Sequence, residues 1–359
     1  MESILVHIDR SLLPARAFHR PSRPNVPLGP LELKLAESLN AEIVGGRIAF
    51  EPVLCLCGGA RFDLVASVDC HALRQQTVLC QRCGLVSSNP RMTDQEYQRF
   101  YSSDVYRRLY SGSDFIATSA KTLYMVETGR HILAAVNAVR TMGPNIRVLE
   151  VGAGGGWNLL AFQQSGAEVL GLDYSATLGE LGREHGIPMI VGGLDVCEGL
   201  FDVIILSHVL EHFLDPRAEL LRLRDHLRPG GVLYIEVPNI LHFGMGQLQS
   251  AHTYYFSPRT LRNVTASCAL ELLTSGPARK THQFGIFAPC QSIRTSADQA
   301  DPVAYDEIRT AIRRHRWRHF ARVILEKIGL LPAANFLRIS AVGLSKIISI
   351  RGGKRVAHW

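Results

Sequence analysis

Between residues 146 and 238 the chain alternates apolar runs with helical spacers, and this alternation constrains the fold more than any other feature of the sequence. The apolar runs are IRVLEVG, AEVLGLD, IPMIVGG, FDVIILSHV and GVLYIEVP. Strands that are apolar almost throughout and are joined through helices pair in parallel, with helices on both faces of the sheet. The later runs LELLTSG and THQFGIFAPC are expected to pair as an antiparallel edge. The sequence therefore predicts a doubly wound α/β fold with a mostly parallel sheet of seven strands.

A glycine-rich turn, LEVGAGGGW, follows the first of these strands. Turns of this kind bind several nucleotide cofactors, which differ in the residue spacing that they require. A dinucleotide turn reads G-x-G-x-x-G, but counted from Gly152 and Gly154 the third glycine is replaced by Trp157. A Walker A loop would continue with Gly-Lys-Ser or Gly-Lys-Thr, which does not follow here. The turn therefore fits neither NAD nor a nucleoside triphosphate.

Two carboxylates accompany the turn. Glu150 ends the first strand, and Asp173 ends the second strand 23 residues later. A carboxylate at a strand end can meet a cationic ligand, and glycines at alternate positions let a nucleoside lie against the backbone. An acid about 20 residues after such a turn binds ribose hydroxyls in related sites. Together these residues indicate a nucleoside without phosphate.

Four stretches carry a resemblance to a known family: LEVGAGGG, GLDYS, FDVIILSHVLEHFLDP and LRPGGVLYIEVPN, in this order. They resemble the motifs of class I S-adenosylmethionine-dependent methyltransferases, whose first motif is E/D-x-G-x-G-x-G. The resemblance covers residues 145–292 and implies a Rossmann-like fold, methyltransferase activity and S-adenosylmethionine as the cofactor. The cofactor-binding residues that it implies are Glu150, Gly152, Ala153, Gly154, Gly156, Asp173, Tyr174, Asp195, Ser207 and His208.

The roles of these residues are carried over from the class. Glu150 and the backbone of the glycine turn would hold the methionine part, and Asp173 would hold the ribose. Asp195 would lie beside the adenine amine, although many relatives have an acid directly after the loop glycine, where this chain has Gly193. The alternative for Asp195 is an ordinary loop aspartate.

Four of the eight cysteines crowd into one short segment. Cys55 and Cys57 form C-x-C, and after 22 residues Cys80 and Cys83 form C-x-x-C, each pair being followed by glycine. Four thiolates in two turns can surround a tetrahedral Zn²⁺, and a closed site of four ligands is structural. A cytosolic chain would use such a cluster for metal rather than for disulfides. The sequence predicts a structural zinc site; reduced, metal-free cysteines are the alternative.

The cysteine segment and the stretch after it, GLVSSNPRMTDQEYQRFYSSDVYRRLY, resemble bacterial methyltransferases with an N-terminal zinc module, including deoxysugar C-methyltransferases and enzymes of surface-polysaccharide pathways. This resemblance spans about residues 53–292 and implies a small sugar or glycan-linked acceptor. The sugar C-methyltransferases read Y-H-E-H-x-x-Y-F-S where this chain has QSAHTYYFS, and their second histidine is the base. His252 keeps that position, whereas Gln249, Ser250 and Ala251 replace the three residues before it.

His252 is therefore the candidate catalytic residue, and O-methylation of a sugar hydroxyl is favoured over C-methylation because the residues before His252 differ. The alternative for His252 is a histidine that only packs near the cofactor. A second interpretation comes from HVLEH, in which His208, Glu211 and His212 share one side of a helix start. With His252 they could bind a divalent metal, as in the small-RNA 2′-O-methyltransferases that read E-x-x-E-H. We favour the interpretation in which Glu211 and His212 cap the helix and shape the pocket.

The net charge of +7 is concentrated at the C-terminal end of the chain. Residues 301–359 contain 12 lysines and arginines against 4 acids, which leaves 27 against 28 for the first 300 residues. This distribution disfavours a nucleic-acid partner. The tail places Ile312, Trp317, Phe320, Val323, Ile324, Ile328 and Leu331 on one helical stripe. Such a basic amphipathic helix packs on the protein, mediates a homodimer or lies on the inner membrane surface.

The sequence predicts five segments: an N-terminal extension over residues 1–50, a zinc-binding module over 51–92, a helical bridge over 93–142, a methyltransferase domain over 143–292 and a basic helical tail over 293–359. Neither a membrane-spanning helix nor a secretory signal is expected, which indicates a cytoplasmic protein. The alternative functions are a sugar C-methyltransferase, a metal-dependent RNA 2′-O-methyltransferase and a cofactor-binding protein without turnover.

Overall fold

The structure is a computed structural model that describes residues 3–9, 12, 24–102, 107–111, 119–279, 281–291 and 300–327. Over these residues the strands are β1 (Leu5–His7), β2 (Phe50–Glu51), β3 (Arg61–Ala66), β4 (Thr77–Cys80), β5 (Val86–Ser88), β6 (Arg91–Met92), β7 (Arg147–Val151), β8 (Glu168–Asp173), β9 (Met189–Val191), β10 (Phe201–Ser207), β11 (Leu227–Pro238), β12 (Tyr254–Tyr255), β13 (Leu270–Arg279) and β14 (His282–Pro289). The α-helices are α1 (Pro30–Val44), α2 (Asp94–Ser102), α3 (Ser119–Asn137), α4 (Leu159–Gln164), α5 (Ala176–Glu184), α6 (Pro216–Asp225), α7 (Pro258–Ala266) and α8 (Pro302–Lys327).

The apolar runs form one seven-stranded sheet in the order β13-β14-β11-β10-β7-β8-β9. The five strands from β11 to β9 are paired in parallel, which confirms the predicted doubly wound α/β fold. β14 is antiparallel to both β11 and β13. The antiparallel strand therefore lies one position inside the edge, and the outermost strand β13 runs in the common direction. The short connection between β13 and β14 forces this pair to be antiparallel.

Alternate residues of the central strands pack on opposite faces of this sheet, as the two-residue period of a strand requires. Leu149 and Ile204 belong to one apolar cluster, whereas Val148 and Ile205 belong to the other. All four side chains are fully buried. Burying a side chain of this size contributes about 1.5–3 kcal/mol, so the two clusters hold the carboxyl ends of the strands in place.

A second sheet contains the cysteine segment and has the order β1-β3-β4-β5-β12. Its strand β1 comes from the predicted N-terminal extension, and β12 comes from the predicted methyltransferase domain. β12 pairs antiparallel with β5, with Tyr254 opposite Ser87. The sheet thus draws strands from outside residues 51–92, and the five segment boundaries stay predictions.

One local expectation is wrong. AEIVGGRIAF is expected to form two short strands around its Gly-Gly turn, but its first four residues complete α1, which begins with Pro30 at its first turn and ends at Val44. A mainly apolar run of four residues matches a helix as well as a strand. After the turn, the strand Phe50–Glu51 pairs with β6.

The C-terminal helix α8 packs on the second sheet over its first half. Ile308 and Ile312 are fully buried, whereas Trp317 is 69% exposed and Ile324 is 41% exposed. The predicted stripe therefore divides into a buried first part and an exposed second part. The side chains of Phe320 and Val323, and residues 328–359 with Ile328 and Leu331, lie outside the described part of the chain. Among the described helices, none is both long and apolar enough to cross a membrane.

Candidate active site

The glycine turn leaves the end of β7 with three alternate glycines in the left-handed region. Gly152, Gly154 and Gly156 have φ angles of 69°, 57° and 73°, which glycine adopts without steric cost. A Cβ on Gly152 would lie 2.5 Å from Val209 Cγ2, so this glycine is needed for packing. A Cβ on Gly154 would meet only the Trp157 ring, at 3.8 Å. The backbone at Gly154 therefore presents an open face to a ligand.

Glu150 is buried beneath this turn, with 1% of its surface exposed. Asn158 Nδ2 donates a hydrogen bond of 2.6 Å to Glu150 Oε1. Glu150 Oε2 has no hydrogen-bond partner among the described residues. Burial raises the pKa of Glu150 to about 8, because the ionised form is poorly solvated there. A cationic ligand would complete the environment of this carboxyl group.

Asp173, at the end of β8, accepts hydrogen bonds from the glycine turn and from the residue that precedes α5. The backbone amides of Gly154 and Ser175 each donate a hydrogen bond of 2.8 Å, to Oδ2 and Oδ1 respectively. These two hydrogen bonds hold the carboxylate in one orientation at the end of β8.

Tyr174, Gly193 and Asp195 lie together at the far end of the turn. Tyr174 is 81% exposed, and a Cβ on Gly193 would lie 2.2 Å from its hydroxyl oxygen. A side chain at residue 193 would therefore displace the Tyr174 hydroxyl. Asp195 is exposed in the short 3-10 helix Leu194–Val196.

Trp157 fills the space that a dinucleotide turn would keep clear. Its side chain is 6% exposed, and a Cβ on Gly155 would lie 2.7 Å from the indole ring. The ring therefore packs against the turn itself, where a dinucleotide site needs its third glycine.

A cluster of charged side chains occupies the carboxyl end of β10 and β11. His208 Nδ1 lies 3.3 Å from Glu211 Oε1, and His208 Nε2 lies 3.5 Å from Glu236 Oε1. His282 Nδ1 lies 3.7 Å from the same oxygen of Glu236, and the Tyr234 hydroxyl donates a hydrogen bond of 2.9 Å to Glu236 Oε2. Each histidine of the cluster thus lies beside a carboxylate, and the Tyr234 hydroxyl is hydrogen-bonded to one.

The pKa values of this cluster follow from those contacts. Burial acts to lower the pKa of His208, but the carboxylates of Glu211 and Glu236 outweigh it and raise the pKa to about 10. Burial acts to raise the pKa of Glu211, and contact with His208 outweighs it and lowers the pKa to about 2. Glu236 behaves in the same way, because the rings of His208 and His282 lower its pKa to about 2. Both carboxylates are therefore ionised at neutral pH.

His252 lies in a separate group with Glu211 and His212, in which one ligand atom from each residue lies within 4.8 Å of the others. The rings of His212 and His252 meet edge to face, with centroids 4.8 Å apart. His252 is 7% exposed, and its Nδ1 has no hydrogen-bond partner within the described ranges. Burial, and then the neighbouring His212, lower the pKa of His252 to about 3. His252 is therefore neutral near pH 7.

The structure divides the residues of the HVLEH interpretation between two groups. Glu211, His212 and His252 converge in one group, and His208, Glu236 and His282 converge in another. Glu211 joins the two groups, because its Oε1 lies 3.3 Å from His208 Nδ1. Ser207, next to His208, ends β10 at the same edge of the sheet.

The loop that carries His252 is attached to the cysteine segment. The Ser88 hydroxyl donates a hydrogen bond of 2.9 Å to the carbonyl of His252, and the Tyr97 hydroxyl donates one of 3.1 Å to the carbonyl of Ser250. Ser250 in turn donates through its amide and its hydroxyl to Asp69 Oδ2, both at 3.0 Å. Ser250, which replaces a histidine of the sugar C-methyltransferase motif, therefore fixes the loop.

The four clustered cysteines are buried and close together. Cys55 Sγ lies 3.5 Å from Cys83 Sγ, and Cys57 Sγ lies 3.7 Å from Cys80 Sγ. Four thiolates around Zn²⁺ with bonds of 2.3 Å have sulfur–sulfur distances of about 3.8 Å, so the donor set and its spacing fit the metal. Hydrogen bonding to Cys55 lowers the pKa of Cys57. Two similar turns of the chain hold the four sulfur atoms in place.

Each of these turns ends in a glycine with positive φ. The amide of Gly58 donates to the carbonyl of Cys55 at 2.7 Å, and the amide of Gly84 donates to the carbonyl of Cys80 at 2.9 Å. Their φ angles are 79° and 74°. The glycine after each pair, noted in the sequence, therefore closes the turn.

Sequence reasoning missed several residues of the site: Asp69, Asn158, Tyr234, Glu236 and His282. Glu236 had a usable signal, because a carboxylate inside the apolar strand LYIEVP must be paired. Asn158 also had one, since it lies eight residues after Glu150 at the start of the helix that follows the turn. The sequence contains no such signal for Asp69 or His282, because their partners come from distant parts of the chain.

Comparison with known proteins agrees with this geometry. Residues 127–274 match a family model described as a methyltransferase domain. A ubiquinone biosynthesis O-methyltransferase of Xanthomonas campestris is 32% identical over 112 residues, which cover 28% of this chain and 47% of the relative. A demethylmenaquinone methyltransferase of Corynebacterium kroppenstedtii is 30% identical over 95 residues, which cover 26% of this chain and 42% of the relative. This chain thus spans about half the length of these curated relatives.

A solved structure is similar over a longer stretch. It is the 1,6-didemethyltoxoflavin-N1-methyltransferase of Burkholderia thailandensis with bound S-adenosylhomocysteine, which is 18% identical with a TM-score of 0.45. The alignment covers 61% of this chain and 96% of that one.

Proposed function

We propose, from the match of residues 127–274 to a family model described as a methyltransferase domain, that the chain transfers a methyl group from S-adenosylmethionine to a hydroxyl oxygen of a small molecule, a sugar or glycan intermediate. The observation that carries this proposal is the buried Glu150 Oε2, which has no hydrogen-bond partner in the described part of the chain and lies under an open glycine turn.

Glu150 and Asp173 are suited to the two ends of this cofactor. An ionised Glu150 would stabilise the positive charge of the methionine part, and the backbone of Gly152–Gly156 would lie against it. The carboxylate of Asp173 would bind the ribose hydroxyls, and the amides of Gly154 and Ser175 hold that carboxylate in place. Tyr174 and Asp195 would flank the adenine. Ser207 and His208 would contact the methionine end from β10.

The bound cofactor supplies an electrophilic methyl group on a sulfonium. The protein aligns the acceptor with it and removes a proton from the acceptor hydroxyl. His252 is the proposed base, because it is neutral and its Nδ1 is without a hydrogen-bond partner among described residues. Glu211 lies close enough to stabilise the ring after it takes the proton. The acceptor oxygen then bonds to the methyl carbon as the carbon–sulfur bond breaks.

The sugar acceptor rests on the resemblance of the cysteine segment and of the His252 loop to sugar methyltransferases. O-methylation is favoured over C-methylation because Ser250 replaces a histidine of the sugar C-methyltransferase motif. The amide and hydroxyl of Ser250 donate hydrogen bonds to Asp69, which fix the loop. The curated relatives named after ubiquinone and menaquinone match 28% and 26% of this chain. Their names give a second acceptor class, hydroxylated quinone precursors.

We propose that Cys55, Cys57, Cys80 and Cys83 bind a structural Zn²⁺, on the strength of their sulfur spacing. The exposed Trp317 and Ile324 on α8 support contact with an anionic membrane surface or a second copy of the chain. Sedimentation with vesicles of anionic lipid, and the mass of the chain in solution, test these two proposals for the tail.

The acceptor class is tested by incubating the protein with S-adenosylmethionine and either nucleotide-linked sugars or hydroxylated quinone precursors. We expect S-adenosylhomocysteine and an O-methylated sugar to form together. Methylation of the quinone precursors alone would replace the sugar proposal. Binding of S-adenosylmethionine without turnover on any hydroxyl compound would favour a cofactor-binding protein.

A further inference from the structure

From the side chains at the carboxyl end of the central sheet, we propose that His208, Glu236 and His282 bind one divalent first-row cation such as Mn²⁺ or Fe²⁺. The three residues come from the ends of β10 and β11 and from the start of β14, which lie side by side. Two imidazoles and one carboxylate form a donor set that binds such cations and leaves coordination positions open. This site is distinct from the cysteine cluster and goes beyond the proposed methyl transfer.

The distances favour a shared ion over direct ion pairs. Glu236 Oε1 lies 3.5 Å from His208 Nε2 and 3.7 Å from His282 Nδ1. Charge-assisted hydrogen bonds are shorter, about 2.7–2.9 Å. Neighbouring donor atoms around one cation at bond lengths of about 2.0–2.2 Å lie about 2.8–3.1 Å apart in an octahedron and about 3.3–3.6 Å apart in a tetrahedron. The observed separations are therefore longer than charge-assisted hydrogen bonds and close to those of neighbouring ligands in a tetrahedron.

Two of the proposed ligand atoms are buried without a hydrogen-bond partner in the described ranges. They are Glu236 Oε1 and His282 Nδ1. Glu236 is 2% exposed, and a buried carboxylate oxygen without a partner is costly. A cation would satisfy both atoms at once. This observation is independent of the donor set itself.

Glu211 and Tyr234 contact the proposed ligands and fix their orientation, as neighbouring residues do in known metal sites. A metal-bound histidine commonly directs its other ring nitrogen to a carboxylate, which fixes the ring. His208 Nδ1 lies 3.3 Å from Glu211 Oε1, so its Nε2 is directed towards Glu236. The Tyr234 hydroxyl donates to Glu236 Oε2 at 2.9 Å, which leaves Oε1 for the cation.

A ligand can reach this site. The side chains of His208 and His282 are 36% and 25% exposed, whereas Glu211 and His252 of the neighbouring group are 1% and 7% exposed. His282 also lines a cavity of about 270 Å³ with Asn239 and His242. An oxygen of a small molecule bound in this cavity could occupy an open position on the cation.

The test is titration with Mn²⁺ alone of the full chain that carries one Zn²⁺ per chain, followed by calorimetry and by the electron paramagnetic resonance of free Mn²⁺. Mn²⁺ prefers oxygen and nitrogen ligands to thiolates, so the cysteines do not compete. We expect one saturable site per chain, and at least tenfold weaker binding in His282→Ala and Glu236→Gln. His131→Ala, which removes an exposed histidine from α3, should bind as the unchanged chain does.

The unchanged chain failing to bind Mn²⁺ at a saturable site would overturn the proposal. Unchanged affinity for Mn²⁺ in His282→Ala would also overturn the proposal. If circular dichroism shows that Glu236→Gln does not fold, the result for His282→Ala is used by itself. Calorimetry with S-adenosylmethionine in metal-free buffer is run on the same samples. Cofactor binding without Mn²⁺ binding would leave the methyl-transfer proposal standing while the metal site fails.

Discussion

The hydroxyl of Ser88 in the cysteine-bearing sheet donates a hydrogen bond of 2.9 Å to the main-chain carbonyl of His252. This bond joins two residues that are 164 positions apart, and β12 continues the same attachment by pairing with β5. The sheet that holds the cysteines therefore also sets the position of the proposed base.

Removing this bond should affect turnover more than cofactor binding. In Ser88→Ala we expect at least a severalfold lower kcat, because the His252 loop loses an anchor, and unchanged affinity for S-adenosylmethionine. Ser87→Ala is the matched control, since adjacent strand residues point to opposite faces of the sheet. Equal kcat in the two variants would show that the anchor does not matter.

His252→Ala should retain cofactor affinity and lose turnover. A general base contributes about 10²–10⁴-fold to rate, so we expect a loss of kcat in that range. Calorimetry with S-adenosylmethionine provides the comparison, because Glu150 and Asp173 are unchanged in this variant. Turnover within twofold of the unchanged chain would exclude His252 as the base.

Gly154→Ala should impair cofactor binding far more than folding. The left-handed φ of 57° makes alanine cost about 1–2 kcal/mol, and the new methyl group would project into the open face of the turn. Gly186→Ala is the control, because Gly186 has a φ of 78° and open space around it, away from the site. We expect similar losses of unfolding free energy in both variants, but weaker binding of S-adenosylmethionine only in Gly154→Ala.

The raised pKa of Glu150 predicts a pH dependence of stability. Its pKa is about 8 in the folded chain and 4.5 as the reference for the unfolded chain. Between these values the folded state binds more protons, so the free energy of unfolding contributed by this residue falls as pH rises from 4.5 to about 8. Glu150→Gln removes the ionisation, so the variant should gain stability relative to the unchanged chain over this range.

Denaturant unfolding of the ligand-free proteins at several pH values measures that difference. A difference between the two proteins that does not change with pH would contradict a raised pKa for Glu150. Binding of the cationic cofactor favours the ionised carboxyl group, so affinity should increase as pH rises towards about 8.

The cysteine site predicts metal content. The unchanged chain should contain one Zn²⁺, and Cys57→Ser should lose it together with stability, because a structural metal contributes to folding. Cys290→Ser lies outside the cluster and is the control. Elemental analysis and thermal unfolding measure both properties, and equal zinc content in the two variants would place the metal elsewhere.

How much of the fold and of the candidate active site could be predicted depends on the separation in sequence between the interacting residues. The strands and the glycine turn follow from local patterns, so the parallel sheet and the positions of Glu150 and Asp173 were predictable. β12 is only two residues long, and its pairing with β5 depends on contacts between distant segments. The same holds for His282, which reaches Glu236 only because β14 pairs with β11.

Titration of the folded chain with S-adenosylmethionine in a calorimeter tests the central claim most directly. We predict one cofactor per chain, and at least tenfold weaker binding in Asp173→Ala, which loses the carboxylate that Gly154 and Ser175 hold in place. No binding by the folded, unchanged chain would contradict the assignment of the cofactor, and equal affinity in Asp173→Ala would contradict the role of Asp173 at the ribose.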